Sequence, residues 1–82
     1  MQNRPDSSLL SEVQTGQYAI ITSLKEGNEI NSRLASLGFT PGVNVEIVQN
    51  FGRGPMIVSV RGMRVALGRG EAAKIFVERG SE

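Results

Sequence analysis

The chain has 82 residues, contains neither cysteine nor histidine, and carries a formal net charge of +1 at pH 7. This length leaves room for one domain with one hydrophobic core. Without thiolate and imidazole groups the chain lacks the usual ligands of zinc, haem and iron–sulfur sites and the commonest groups of acid–base and nucleophilic catalysis. The composition therefore predicts a protein that is not an enzyme, holds no cofactor and has no metal site.

The hydropathy pattern predicts a cytoplasmic protein without membrane insertion. The longest apolar runs span only a few residues, such as residues 18–21, whereas a membrane-spanning helix needs about 20. The first residues are polar and lack the apolar stretch of a secretory signal. We assign residues 1–8 to a flexible N-terminal tail, residues 9–78 to one domain and residues 79–82 to a C-terminal tail.

The first half of the domain predicts one strand followed by one helix. Residues 17–24 are rich in Ile, Tyr and Thr, which is typical of a strand. A helix is predicted over residues 29–37, with Asn28 as its N-cap, Leu34 on its apolar face and Gly38 as its C-cap. This helix is too short to be stable in water unless it packs against a sheet.

The second half predicts strands joined by glycine turns. Residues 40–43, Thr-Pro-Gly-Val, fit a type II turn. Alternating apolar residues predict strands over 43–48, 56–61 and 63–67, and a last strand covers 74–78. About five antiparallel strands and one short helix predict a mainly β fold, a small SH3-like barrel with the helix packed on it. The positions predicted to be mostly buried are Ile30, Leu34, Leu37, Val45, Ile47, Val58, Val65 and Ile75.

Basic residues concentrate near the C-terminus. Residues 1–50 carry three basic and five acidic side chains, and residues 51–82 carry six basic and three acidic ones. Arg61 and Arg64 flank one predicted turn and Arg69 lies near the next, so two or three of them are expected to share a surface. Such a surface is either an ordinary solvated face or a docking face for an acidic protein.

Nucleic acid is not expected as a partner. The net charge is close to neutral, and of the four aromatic residues at least two are predicted to be buried, so no stacking platform accompanies the arginines. Arg33, beside the apolar face of the helix, has two possible roles: a bridge to a nearby carboxylate or carbonyl, or contact with a partner. The predicted partner-binding residues are thus Arg33, Arg61, Arg64 and Arg69.

Four ordered blocks of the sequence resemble the FeoA family. They are Arg33-Leu34-x-x-Leu37-Gly38-Phe39-x-Pro41-Gly42-x-x-Val45, Gly54-Pro55-Met56-x-Val58-x-Val60-x-Gly62, Val65-Ala66-Leu67 and Ala72-Ala73-x-Ile75-x-Val77. The resemblance covers about residues 9–78. It implies an SH3-like barrel without catalysis that acts beside FeoB, the membrane transporter whose cytoplasmic G domain drives ferrous iron uptake.

The same domain type occurs at the C-terminus of metal-dependent repressors of the DtxR kind. The resemblance therefore leaves an alternative open, in which the chain is an SH3-like regulatory or nucleic-acid-associated module of a metal-dependent transcription regulator system. The oligomeric state and the direction of any effect on transport are also left open by the sequence.

Overall fold

The computed structural model describes residues 7–25 and 28–80, which form six strands and three short helical segments. The strands are β1 (Ser7–Leu9), β2 (Tyr18–Leu24), β3 (Asn44–Gln49), β4 (Met56–Val60), β5 (Met63–Leu67) and β6 (Ile75–Arg79). The helical segments are a 3₁₀ turn (Leu10–Glu12), α1 (Asn28–Ser36) and α2 (Arg69–Ala72). The strands form one antiparallel sheet in the order β1-β6-β2-β3-β4-β5.

The predicted fold class is confirmed, with one strand more than expected. In β1, Ser7 pairs with Glu78 and Ser8 with Val77 of β6. The sheet therefore begins two residues inside the segment that the sequence assigned to a tail. A strand of three residues is too short to show an alternating pattern, which is why the sequence did not indicate it. Residues 1–6 of that predicted tail lie outside the described part of the chain.

The sheet bends around one core without closing through hydrogen bonds. β1 and β5 are the two ends of the strand order, and within the described residues they do not pair with each other. The register shifts between Ile21 and Ser23 in β2 and between Ile47 and Gln49 in β3. Bulges of this kind bend a strand and increase its twist, so each strand can bend and the sheet can enclose the core from several sides.

The core consists of side chains from β2 to β6 and from the helical segments. The buried residues are Leu10, Ala19, Ile21, Leu34, Phe39, Val45, Ile47, Met56, Val58, Val60, Leu67, Ala72, Ile75 and Val77. Burial is thus confirmed for Leu34, Val45, Ile47, Val58 and Ile75. Leu37 and Val65 are half-buried and pack against this core, and the side chain of Ile30 lies outside the described part.

Helix α1 ends in a Schellman motif that fixes the direction of the following chain. The amide of Phe39 donates to the carbonyl of Leu34 (3.0 Å), and the amide of Gly38 donates to the carbonyl of Ala35 (3.0 Å). Gly38 has φ +105°, a value that glycine adopts without the Cβ penalty of other residues. Leu34 and Phe39, on either side of the motif, are both buried. The C-cap predicted for Gly38 is therefore confirmed.

Two tight turns set the directions of β3 and β5. Gly42 has φ +92° and the amide of Val43 donates to the carbonyl of Thr40 (3.1 Å), which confirms the predicted type II turn. Between β4 and β5, Arg61 and Gly62 have φ +51° and +83°. Positive φ at both central residues is typical of a type I′ hairpin turn, whose twist matches that of the flanking strands.

Candidate functional site

Arg61, Met63 and Arg64 form the tip of the β4–β5 hairpin, and we call these three residues the hairpin tip. Val60 and Met63 pair across the two-residue turn, and Arg64 pairs with Ser59 at the next position. Both arginines are exposed, and Met63 between them is 57% exposed. Within the described residues neither guanidinium makes a hydrogen bond or an ion pair. The tip therefore presents two cations and one apolar side chain on a rigid turn.

The stem of Arg61 lies against the end of α1. A Cβ atom placed on Gly38 would be 2.7 Å from Cδ of Arg61, so any other residue at position 38 would have to displace this stem. Long basic side chains often lay their methylene groups on a surface while the charged group stays in water. The contact restricts Arg61 at its base and leaves its guanidinium available to a partner.

Arg69 lies at the other end of β5. The strand has five residues, so its two ends are four steps of about 3.3 Å apart, a span of about 13 Å. Arg61 and Arg64 lie three residues apart at one end of β5, whereas Arg69 lies beyond its other end. The reason is topological, because successive turns of an antiparallel sheet lie at opposite ends of the strand that joins them. The expectation that two or three of these arginines share a surface stays a prediction for Arg61 and Arg64. A role of Arg69 in partner binding stays a prediction.

The guanidinium of Arg69 holds three segments of the chain together. Its Nη2 donates to the carbonyl of Ser11 (2.9 Å), and its Nη1 donates to Oδ1 of Asn50 (2.7 Å) and, at 3.4 Å, to the carbonyl of Gly54. Asn50 makes further side-chain hydrogen bonds to the backbone. Its Nδ2 donates to the carbonyl of Val13 (2.7 Å) and its Oδ1 accepts from the amide of Gly52 (3.0 Å). We call Asn50 and Arg69 the polar clamp.

Sequence reasoning missed Asn50. The signal that could have indicated it is the Asn50-x-Gly52 spacing, because an asparagine side chain often accepts a hydrogen bond from the amide two residues later and so forms a turn. Its partners Ser11 and Val13 are remote in sequence, and no local pattern indicates them.

Arg33 takes up the first of its two predicted roles. It lies in the last turn of α1 and forms an ion pair with Glu71 of α2. The side chains are 56% and 20% exposed, respectively. Oε1 of Glu71 also accepts a hydrogen bond from the amide of Gly68 (3.0 Å). An exposed pair of this kind contributes at most about 1 kcal/mol, and it orients the Arg33 side chain along the surface. Contact between Arg33 and a partner stays a prediction.

The aromatic residues are more exposed than the sequence analysis expected. Only Phe39 is buried and Tyr18 is half-buried, whereas Phe51 and Phe76 are 74% and 38% exposed. The expectation that at least two aromatic side chains are buried is therefore wrong. Phe76 alternates with the buried Ile75 and Val77 and so faces outward, where Nζ of Lys25 lies 5.8 Å from its ring centre. Phe51 follows the end of β3 in a glycine-rich loop. Neither phenylalanine belongs to the hairpin tip.

The described residues contain no group of three or more His, Cys, Asp or Glu side chains placed to hold a metal ion. No helix in this part of the chain has the length and apolar character that crossing a bilayer requires.

A family model and a sequence relative agree on one family. A family model, the FeoA domain, matches residues 9–79. Fe(2+) transport protein A of Methanocaldococcus jannaschii is 35% identical over 69 residues, which cover 84% of this chain and 83% of the relative.

Solved structures agree with this match. The crystal structure of an iron uptake regulatory protein (FeoA) superposes with a TM-score of 0.85 at 32% identity, over 90% of this chain and 99% of the other. FeoA of Stenotrophomonas maltophilia, complexed with zinc, superposes with a TM-score of 0.79 at 33% identity, over 87% and 89% of the two chains. That protein is described as a prokaryotic SH3 domain protein and a candidate activating factor of bacterial ferrous iron transport.

Proposed function

Because the chain belongs to the FeoA domain family, we propose that it is a non-enzymatic accessory protein of ferrous iron uptake that binds the cytoplasmic portion of a FeoB-type membrane transporter. The names of two relatives refer to ferrous iron transport, which supports a role in iron uptake. The family resemblance supports a FeoB-type transporter as the partner. The observation that carries the binding role is the hairpin tip, with its exposed Arg61, Met63 and Arg64. A partner of this kind places the chain in the cytoplasm.

The charge around the hairpin tip favours an acidic partner. Residues 51–70 contain four arginines and neither aspartate nor glutamate. Among the described residues the two guanidinium groups of the tip make no hydrogen bond or ion pair, whereas that of Arg69 donates to Ser11 and Asn50. Charges at the rim of an interface act mainly by steering the encounter, so they raise the association rate and make binding sensitive to salt. Met63, which is 57% exposed, adds an apolar side chain to the hairpin tip.

The nucleic-acid-associated alternative receives less support. A domain dedicated to nucleic acid usually has a strongly basic surface, whereas this chain carries a net charge of +1. The exposed Phe51 provides one aromatic face beside Arg53, which falls short of the successive stacking positions along a basic groove that single strands require.

Reversing the charge of the hairpin tip tests the proposal. The variant Arg61→Glu with Arg64→Glu is compared with Arg53→Glu with Arg79→Glu, which makes the same change in net charge at exposed positions outside the tip. Binding to the purified cytoplasmic portion of the transporter is measured by calorimetry at low and moderate salt. We expect the tip variant to lose affinity roughly tenfold or more and to lose most of the salt dependence, and the control pair to lose much less.

Circular dichroism establishes that both variants keep the fold. Equal affinity and equal salt dependence in the two variants would show that the hairpin tip is an ordinary solvated surface. Failure of the wild-type chain to bind the transporter at either salt concentration would refute the proposed function itself.

A further inference from the structure

The outer edge of β5 is the longest backbone edge that the described sheet leaves without a strand partner. β5 pairs with β4 from Val60–Met63 to Met56–Leu67. In a hairpin with a two-residue turn, the pair next to the turn is hydrogen-bonded and the following pairs alternate between bonded and non-bonded. The backbone N–H and C=O groups of Arg64 and Ala66 therefore point away from β4.

Solvent reaches this edge. Along β5, Arg64, Ala66 and Met63 are exposed, Val65 is half-buried, and only Leu67 is buried. β4, one strand further in, instead shows strict alternation of buried and half-buried residues. Alanine at position 66 also keeps the space beside the outward amide free of a bulky side chain.

The charges along this edge indicate what could pair with it. Arg61 lies at one end of β5, Arg64 lies on its outer face, and the surrounding segment from 51 to 70 contains no carboxylate. We propose that β5 is a docking edge to which an acidic, extended segment of the partner adds as a seventh strand of the sheet. In this mode backbone hydrogen bonds supply most of the affinity, and side chains on alternate positions supply specificity. Carboxylates on the partner strand would face Arg64.

A second copy of this chain fits the same edge less well. An antiparallel pair of two β5 strands brings two Arg64 side chains onto one face, and like charges across neighbouring strands are destabilising. A charged residue on an edge strand also has a protective role, because it discourages edge-to-edge aggregation. Amide exchange in the complex separates docking from protection.

Hydrogen exchange measured by NMR tests the docking edge without any substitution. The inference rests on the proposed function, so the probe is the purified cytoplasmic portion of the transporter. In the free chain we expect the amides of Arg64 and Ala66 to exchange rapidly and that of Val65, which is bonded to β4, to exchange slowly. At saturation with the probe, exchange at Arg64 and Ala66 slows at least tenfold, while Val65 stays slow.

Proline at position 66 provides an independent test. Ala66→Pro removes an amide that makes no bond to β4, and proline is tolerated where the N–H of an edge strand faces solvent. We expect this variant to keep the fold and to bind the probe at least tenfold more weakly. Ala66→Ser keeps the amide and serves as the matched control, with affinity close to that of the wild type.

The outcomes separate this inference from the proposed function. If the wild type does not bind the probe, the proposed function fails and the docking edge fails with it. If the wild type binds but exchange at Arg64 and Ala66 is unchanged, the docking edge is overturned while the function stands, and Arg64 then only protects the edge. Should Ala66→Pro unfold the chain, the exchange measurement on the wild type still shows whether β5 is the docking edge.

Discussion

Two exposed or partly exposed arginines, Arg53 and Arg69, differ sharply in what their guanidinium groups contact. Arg69 donates to Ser11, Asn50 and Gly54, whereas Arg53 is exposed in the loop between β3 and β4. We expect Arg69→Ala to lower the free energy of unfolding by about 1–3 kcal/mol, because it removes hydrogen bonds from a charged donor. Arg53→Ala should change it by less than about 0.5 kcal/mol. Urea denaturation measures both, and equal effects would contradict a structural role for the polar clamp.

The glycines at 16 and 38 allow backbone strain to be separated from side-chain crowding. Both have positive φ, +90° and +105°, but a Cβ at Gly16 meets no atom within 4 Å, whereas one at Gly38 meets Cδ of Arg61. Gly16→Ala should cost about 1–2 kcal/mol of unfolding free energy from the backbone alone, and Gly38→Ala should cost more. In an Arg61→Ala background the excess should disappear. An excess that persists there would show that the Arg61 stem does not lie on Gly38.

Among the elements, α1 depends on tertiary packing more than on its own propensity. It has nine residues, fewer than an isolated helix needs in water, and among its described side chains Leu34 is fully buried in the core. We expect Leu34→Ala to lower the free energy of unfolding by about 2–5 kcal/mol. Leu37→Ala, at a half-buried position near the same helix end, is the control and should cost distinctly less. Similar losses in thermal or urea denaturation would show that Leu34 does not anchor the helix.

Elements with strong local patterns were predictable from the sequence. Alternating apolar residues indicated β3 to β5. The positions of Gly38 after a helical pattern and of Gly42 after a proline indicated a helix C-cap and a type II turn, and both glycines have positive φ in the structure. The short strand β1 was not predictable, because its place in the sheet comes from pairing with β6, some 70 residues away in sequence. Local pattern determines where a strand can form, whereas pairing over long distances decides which short segments join the sheet.

The candidate site was predictable in part for the same reason. Arg61 is a central residue of the turn and Arg64 lies three residues later in the strand that follows, so their closeness along the chain follows from local geometry. The ion pair of Arg33 with Glu71 and the bonds of Arg69 with Asn50 and Ser11 join distant parts of the chain. Equal formal charge in the sequence thus says little about which arginine is available to a partner.

At the scale of the whole molecule, the interior is filled and the surface carries the chemistry. Every buried residue in the described part is apolar, and no charged or polar side chain is buried. A barrel of this size therefore offers a partner only its turns, edges and outer faces. The hairpin tip and the outer edge of β5 are adjacent, so one extended acidic segment could contact the arginines and the edge amides together.

We expect metal binding by the whole chain to be weak. With no cysteine or histidine, the chain has only carboxylates as charged ligands, and a hard-cation site needs several that converge. Glu71 is engaged by Arg33, and Oε1 of Glu12 accepts from the amide of Leu9 (3.0 Å). We expect calorimetric titration with zinc, or with ferrous ions under anaerobic conditions, to reveal binding no tighter than about 10⁻⁴ M. A stoichiometric site of micromolar affinity would contradict this. Because the relative from Stenotrophomonas maltophilia is complexed with zinc, titration with zinc is the stricter test of this prediction.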